Sequence, residues 1–97
     1  MLLAEMPAEF ARVLGVPVED VLLSRGPDYP ECLAGIVLSD VDPAKMSEAV
    51  NAVIPNDGLT RVCIQVIEAE QAFRFRNRAF DAAWEESWDF CVATVRS

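Results

Sequence analysis

The stretch from Ala69 to Trp88 constrains the fold more than any other part of the chain, because it holds most of the large aromatic side chains. Apolar residues recur there at the three- and four-residue spacing of an amphipathic helix. The predicted inward stripe consists of Ala69, Ala72, Phe73, Ala79, Phe80, Ala83, Trp84 and Trp88. Since aromatic side chains bury much apolar area, we expect one long helix that supplies a large part of the core.

Arg76 interrupts this stripe, because at about 100° per residue its side chain projects close to that of Phe80. A guanidinium in that position must reach water, pair with a buried acid or contact a partner. Reaching water is the preferred interpretation, since arginine is seldom fully buried. Residues 73–76 also alternate apolar and charged side chains as a strand would, but the helical pattern continues to Trp88 and is preferred.

Hydrophobic patterning and capping signals predict the other elements. The predicted elements are helix 5–14, a strand or helical turn over 18–24 with the strand preferred, strand 32–39, helix 43–54, strand 59–67 and strand 89–96. Gly15 is placed to end the first helix, and Asp42 before Pro43 is a strong N-cap signal for the second. The inward residues of that second helix are expected to be Met46, Ala49, Val50 and Val53.

These elements predict a fold of the α+β class in a single domain, residues 1–97. The element order is α-(β)-β-α-β-α-β, in a two-layer sandwich with a three- or four-stranded sheet and helices mainly on one face. A chain of 97 residues is long enough for one such core. Its apolar share of 53% is high for this size, which favours some coverage by a second copy or a partner.

Two further patterns bear on location and on DNA binding. No run approaches the ~20 apolar residues of a membrane-spanning helix. Glu5 follows Met1–Ala4 directly with no basic region before it, so we expect no signal peptide. Residues 9–23 resemble the last helices of phage-repressor-like helix-turn-helix domains, but the recognition helix that would read DNA is missing, so no DNA-binding role is carried over.

The charge balance is strongly acidic and uneven. The formal net charge is -8, from 16 acidic and 8 basic residues. Most of this excess lies in residues 1–58, whereas residues 59–97 are nearly balanced. The simple interpretation of an acidic balance is solubility. The more specific interpretation is an acidic face that binds a basic partner by charge complementarity. Direct nucleic-acid binding requires a basic footprint and is not expected.

The sequence offers little for catalysis. It has three cysteines, Cys32, Cys63 and Cys91, and no histidine, which disfavours a zinc site and a histidine-activated nucleophile. The cysteines lie in apolar runs, which is typical of reduced thiols. Asp40 and Asp42 would suit Mg²⁺ where a strand meets a helix, but helix capping explains Asp42 fully. We therefore expect no catalytic residue, no metal and no cofactor; a small carboxylate- or metal-dependent enzyme is an alternative.

The leading hypothesis is a small cytoplasmic inhibitor or modulator that acts by binding a protein, for example by covering a basic, nucleic-acid-handling surface. In size and acidity the chain is similar to phage-encoded inhibitors of bacterial defence, such as anti-CRISPR proteins. The candidate partner-binding residues are Glu19, Asp20, Asp28, Tyr29, Glu31, Asp40 and Asp57. Arg76 is the candidate buried or interface charge. The other alternative is a structural or regulatory homo-oligomer, such as a homodimer, with Phe75, Trp88 and Phe90 in its interface.

Overall fold

A four-stranded mixed sheet forms the centre of the structure, a computed structural model that describes residues 2–97. Its strands are β1 (Val21–Arg25), β2 (Cys32–Val37), β3 (Arg61–Ile67) and β4 (Cys91–Arg96). They lie in the order β1-β2-β3-β4, with β2 and β3 parallel and the two outer pairs antiparallel. The predicted α+β class and element order are confirmed. The strand preferred over 18–24 forms as β1 and completes the four-stranded sheet.

Three α-helices accompany the sheet: α1 (Met6–Leu14), α2 (Pro43–Val53) and α3 (Phe80–Phe90). Gly15 ends α1 in the left-handed conformation, with φ of 72°, which glycine adopts without steric cost. The Asp42 carboxylate accepts a hydrogen bond of 2.8 Å from the backbone nitrogen of Ala44 and caps α2. Both predicted end signals are confirmed. No helix within residues 2–97 has the length and hydropathy needed to cross a bilayer.

Helices α1 and α2 cover the first face of the sheet and enclose the larger part of the core. The predicted inward residues of α2 are all buried there, together with Phe10 of α1. Sheet residues that meet these helices alternate along each strand, as the two-residue period of a strand requires. They include Val21, Leu33, Val37, Val62, Ile64, Val66 and Val95.

The second face of the sheet is covered in part by α3 and by the residues before it, which adds a layer to the predicted two-layer sandwich. Ile36, Leu38 and Ile67 point to this face and are fully buried. Phe75 and Ala83 pack against them. The reason is in β2, where both sides of the strand are apolar, so each face needs its own cover.

The predicted long helix over 69–88 is wrong, because the chain changes direction in its middle. Residues Ala69–Arg74 form a 3-10 helix, and α3 begins only at Phe80. Between them Asn77 has a φ of 60°, a left-handed conformation that an α-helix cannot contain and that asparagine tolerates better than most residues. The alternative strand over 73–76 does not form either.

This interruption changes which aromatic side chains are buried. Phe75, which the helical stripe left out, is 1% exposed, whereas Phe73 is 70% exposed. Ala69 and Ala79 of the stripe are also exposed. The helical phase on one side of the turn does not continue on the other, so a stripe drawn through the turn assigns the wrong side chains to the core.

The segment 18–24 contains both of its predicted alternatives. Val18–Asp20 is a 3-10 turn, and Val21 starts β1. The strand replaces the second helix that the likeness to helix-turn-helix domains would require. The turn matters for packing because the backbone nitrogen of Leu38 donates a hydrogen bond of 2.8 Å to the carbonyl oxygen of Asp20.

Candidate binding site

Asp20, one of the predicted partner-binding residues, is buried and bound within the chain. It is 8% exposed, and its Oδ2 accepts a hydrogen bond of 2.8 Å from the Ser39 hydroxyl. A guanidinium nitrogen of Arg76 lies 2.8 Å from its Oδ1. No aligned hydrogen bond reaches Oδ1, so this contact is mainly coulombic. Little of this carboxylate is therefore open to a partner while Arg76 is paired with it.

The contact with Asp20 shows which of the predicted environments Arg76 occupies, namely one beside a buried acid. Its guanidinium is half-exposed and also pairs with a buried acid, so the simple water-exposed interpretation is incomplete. The ion pair joins the turn before β1 to the irregular segment before α3. Desolvation of a carboxylate is costly unless a charge or hydrogen bonds compensate it, which gives this arginine a structural role.

The other candidate residues divide between the two ends of the sheet. Glu19 and Asp40 lie near the end where β2 finishes, since Val21 pairs with Val37. At the opposite end β1 finishes and β2 and β3 begin, as the pairing of Cys32 with Arg61 shows. We call this the hairpin end of the sheet. Its exposed candidates are Asp28, Tyr29, Glu31 and Asp57.

The carboxylate of Asp57 organises the loop that leads into β3. It accepts hydrogen bonds from the backbone nitrogens of Thr60 at 2.8 Å and Leu59 at 2.9 Å, and from the Thr60 hydroxyl at 3.2 Å. The backbone bond from Thr60, followed by that from Leu59, lowers the pKa of Asp57 from its ordinary 3.8. Hydrogen bonds of this kind favour the charged form.

This lowered pKa predicts an acid-dependent contribution to stability. A carboxylate whose pKa is lower in the folded than in the unfolded state stabilises the fold above the unfolded value of 3.8. That contribution disappears as the pH falls through the folded-state pKa. In urea titrations, Asp57→Ala should therefore be less stable than the wild type at pH 7, and the difference should shrink towards pH 2.5. A difference that is equal at both pH values would contradict this assignment.

The two carboxylates considered for Mg²⁺ accept hydrogen bonds from backbone N–H groups. Asp42 caps α2, and Asp40 Oδ1 accepts a hydrogen bond of 3.2 Å from the backbone nitrogen of Ala69. Within residues 2–97, no three Asp, Glu, Cys or His side chains are grouped so as to hold a metal ion. These hydrogen bonds therefore give both Asp40 and Asp42 a structural role.

The aromatic residues considered for a homo-oligomer interface differ in accessibility. Phe75 is fully buried within the subunit, so it is not available to a second copy, and Phe90 is half-buried. Trp88 is 44% exposed. The guanidinium of Arg74 lies 4.4 Å from the centroid of the Phe90 ring, which shields that ring further.

Trp88 lines a groove on the second face of the sheet, at the hairpin end. Its volume is about 330 Å³, and one wall is formed by Trp84 and Trp88 of α3. The opposite wall is the β1–β2 turn with Asp28 and Tyr29. Cys32, Ala34 and Cys63 form its floor, and Arg96 of β4 lies at its side. We call this cavity, with these lining residues, the groove.

Small side chains explain why the groove is open. Leu38 and Ile67 fill the space below α3 at the far end of the second face, whereas Ala34, Cys32 and Cys63 leave space at the hairpin end. Gly26 permits the tight turn that places Tyr29, because a Cβ on Gly26 would lie 2.8 Å from the Tyr29 carbonyl oxygen. Tyr29 is 65% exposed.

The chemistry of the groove combines aromatic rings, thiols and one guanidinium. Trp84 and Trp88 contact edge to face, with ring centroids 5.4 Å apart. The Arg96 guanidinium carbon lies 5.5 Å from the centroid of the Trp88 ring. Burial raises the pKa of the Cys63 thiol, and the nearby charge of Arg96 only partly opposes this effect. The thiol is therefore protonated at neutral pH and contributes apolar surface to the floor.

The cysteines are all free thiols and are partly buried. This agrees with the expectation of reduced, unpaired cysteines. Sequence reasoning assigned both tryptophans to the core stripe and did not consider Arg96. Pairing of Cys63 with Arg96 across β3 and β4 places their side chains on one face, which strand alternation can suggest. The position of α3 on that face is not visible in the pattern.

Few of the acidic side chains are neutralised within the protein. Among residues 2–97, ion pairs join Glu9 to Arg12, Asp20 to Arg76 and Glu86 to Arg78. With 16 acids in the chain, most carboxylates have no such partner. Those of Asp28 and Glu31 are exposed beside Tyr29.

Comparison with protein-family models, with curated proteins and with solved structures finds no match for this sequence. Because a fold by itself does not determine an activity, the residues of the site carry the functional assignment.

Proposed function

We propose that this chain acts in the cytoplasm by binding another protein through its acidic surface, as an inhibitor or modulator. The observation that carries the proposal is the excess of unpaired carboxylates. Such a surface attracts a basic partner and accelerates their encounter. A nucleic-acid-handling protein offers the required basic surface, so covering that surface is the form of inhibition that we favour.

The hairpin end is the region that we assign to partner binding. It carries Asp28, Glu31 and Asp57 around the exposed ring of Tyr29. Tyrosine often provides much of the binding energy at protein interfaces, because its ring is large and rigid and its hydroxyl can form hydrogen bonds. Charge around an aromatic anchor would supply both attraction at a distance and contact area.

A titration of the ¹⁵N-labelled protein with a hexa-arginine peptide tests the electrostatic part. We expect amide shifts concentrated at Asp28, Tyr29 and Glu31, with binding that weakens as salt rises. Asp28→Asn combined with Glu31→Gln should weaken peptide binding by ~threefold or more, since two of the nearest charges are removed.

The matched control is Glu48→Gln combined with Glu70→Gln, which removes two exposed charges elsewhere. This control should retain most of the affinity. Equal losses in both double variants, or shifts spread evenly over the surface, would show that only net charge matters. A pull-down from the native host with the same two variants extends the test to the physiological partner, which should be lost with the first variant and kept with the second.

A further inference from the structure

We propose that the groove is a binding site for a small aromatic carboxylate, with its ring between Tyr29 and the two tryptophans and its anionic group on Arg96. The groove shares Asp28 and Tyr29 with the proposed protein-binding region, but this proposal depends on Arg96, Trp84 and Trp88, which that function does not use. It assigns a ligand class to a cavity that the acidic surface does not explain.

Arg96 supplies the cationic group that lines the groove. It lies against the face of the Trp88 indole, with its central carbon 5.5 Å from the ring centroid. A guanidinium that stacks on a ring keeps the N–H groups at its edge free, and this planar fork matches the two oxygens of a carboxylate. Stacking therefore positions Arg96, and beside its contact with the Cys63 thiol the guanidinium has further N–H groups for a ligand.

No carboxylate of residues 2–97 forms an ion pair with Arg96, although the protein carries twice as many acids as bases. Its partner across the strands is Cys63, whose raised pKa keeps the thiol uncharged. Asp28 on the opposite wall is the acidic residue that lines the groove. An incoming carboxylate would therefore meet Arg96 at one side and would be repelled from the Asp28 side, which orients it.

The walls and the volume favour a flat apolar body. Aromatic rings pair with one another in offset or edge-to-face geometries, and Trp84 and Trp88 already present one face and one edge to each other. The floor of Ala34, Cys32 and Cys63 is apolar. A volume of about 330 Å³ lies at the lower end of the range for small-molecule sites, so it suits one or two fused rings.

The two tryptophans of the chain both line the groove, so their indole N–H signals report directly on its occupancy. We suggest titrating the ¹⁵N-labelled protein with 2-naphthoate, with the neutral 2-naphthamide and with 2-naphthylmethylammonium as probes of equal ring size. We expect saturable shifts of both indole signals with 2-naphthoate. The amide and the ammonium compound should bind at least ~threefold more weakly, the difference that one partly exposed charge-assisted contact provides.

Two variants distinguish the contribution of the Arg96 charge to probe binding from that of the tryptophan rings. Arg96→Gln should abolish the preference for the carboxylate over the amide, and Trp88→Ala should weaken all three probes. Arg61→Gln is the matched control, because Arg61 is exposed on β3 near Arg96 but does not line the groove. It should keep the preference. Tighter binding of the ammonium compound, a preference that survives Arg96→Gln, or no saturable shift with 2-naphthoate would overturn the proposal.

Discussion

Replacing Phe75 with alanine is expected to lower the free energy of unfolding by about 3–5 kcal/mol, the usual cost of removing a fully buried aromatic ring. The ring is 1% exposed and packs with Ile36, Leu38 and Ile67 on the second face of the sheet. It also contacts Phe90 edge to face, with centroids 6.2 Å apart. The surrounding strands cannot close the resulting cavity, because their spacing is set by backbone hydrogen bonds.

Phe73→Ala is the matched control, since it makes the same chemical change two residues away. Phe73 is 70% exposed, and the Arg74 guanidinium carbon lies 5.2 Å from the centroid of its ring. We expect a loss of no more than about 1 kcal/mol, the value of an exposed cation–π contact. Urea denaturation at one pH measures both variants. Similar losses for the two would contradict the difference in burial between Phe75 and Phe73, and a larger loss for Phe73→Ala would favour the long-helix interpretation.

The ion pair between Asp20 and Arg76 should give the second-largest effect. Arg76→Gln leaves a buried carboxylate with the Ser39 hydroxyl as its remaining side-chain partner, which we expect to cost about 1–3 kcal/mol. The half-exposed guanidinium keeps this below the cost of breaking a fully buried pair. In a double-mutant cycle with Asp20→Asn, the coupling energy should be about 1–2 kcal/mol.

The pair between Arg12 and Glu9 provides the comparison, because it has a similar distance of 2.8 Å but lies on the exposed side of α1. Its coupling energy should be clearly smaller than that of the Asp20–Arg76 pair, because water and salt screen an exposed ion pair. Raising the salt concentration should reduce that small value further, whereas the more buried pair should change little. Equal couplings for both pairs would contradict a structural role for Arg76.

Much of the fold was accessible from the sequence because it depends on neighbouring residues. Gly15 ends α1 and Asp42 starts α2 through backbone conformation and short-range hydrogen bonds, and the spacing of Met46, Ala49, Val50 and Val53 selects the buried side of α2. The strands are recognisable by their branched apolar runs. These signals act within one or two turns of chain, so they require no knowledge of the remaining structure.

Both failures have a common physical origin in the turn at Asn77. Helical periodicity carried through Asn77 assigned Phe73 to the core, because a single left-handed residue is not visible in a pattern of apolar positions. Asp20 is among the predicted partner-binding residues, a role that requires exposure, as is usual for aspartate. Its burial depends on Arg76, which lies far along the chain and is positioned by the same unpredicted turn.

By itself, the sequence determined the α+β class, the order of elements, the caps of α1 and α2 and the excess of negative charge. The tertiary structure alone decided that α3 covers the second face of the sheet, that Phe75 is buried, and that Arg96, Tyr29 and two tryptophans line one groove. Local conformation follows from the hydrogen bonds and side-chain entropy of adjacent residues. The faces that elements present to one another follow from the packing of the whole chain, which a one-dimensional pattern does not contain.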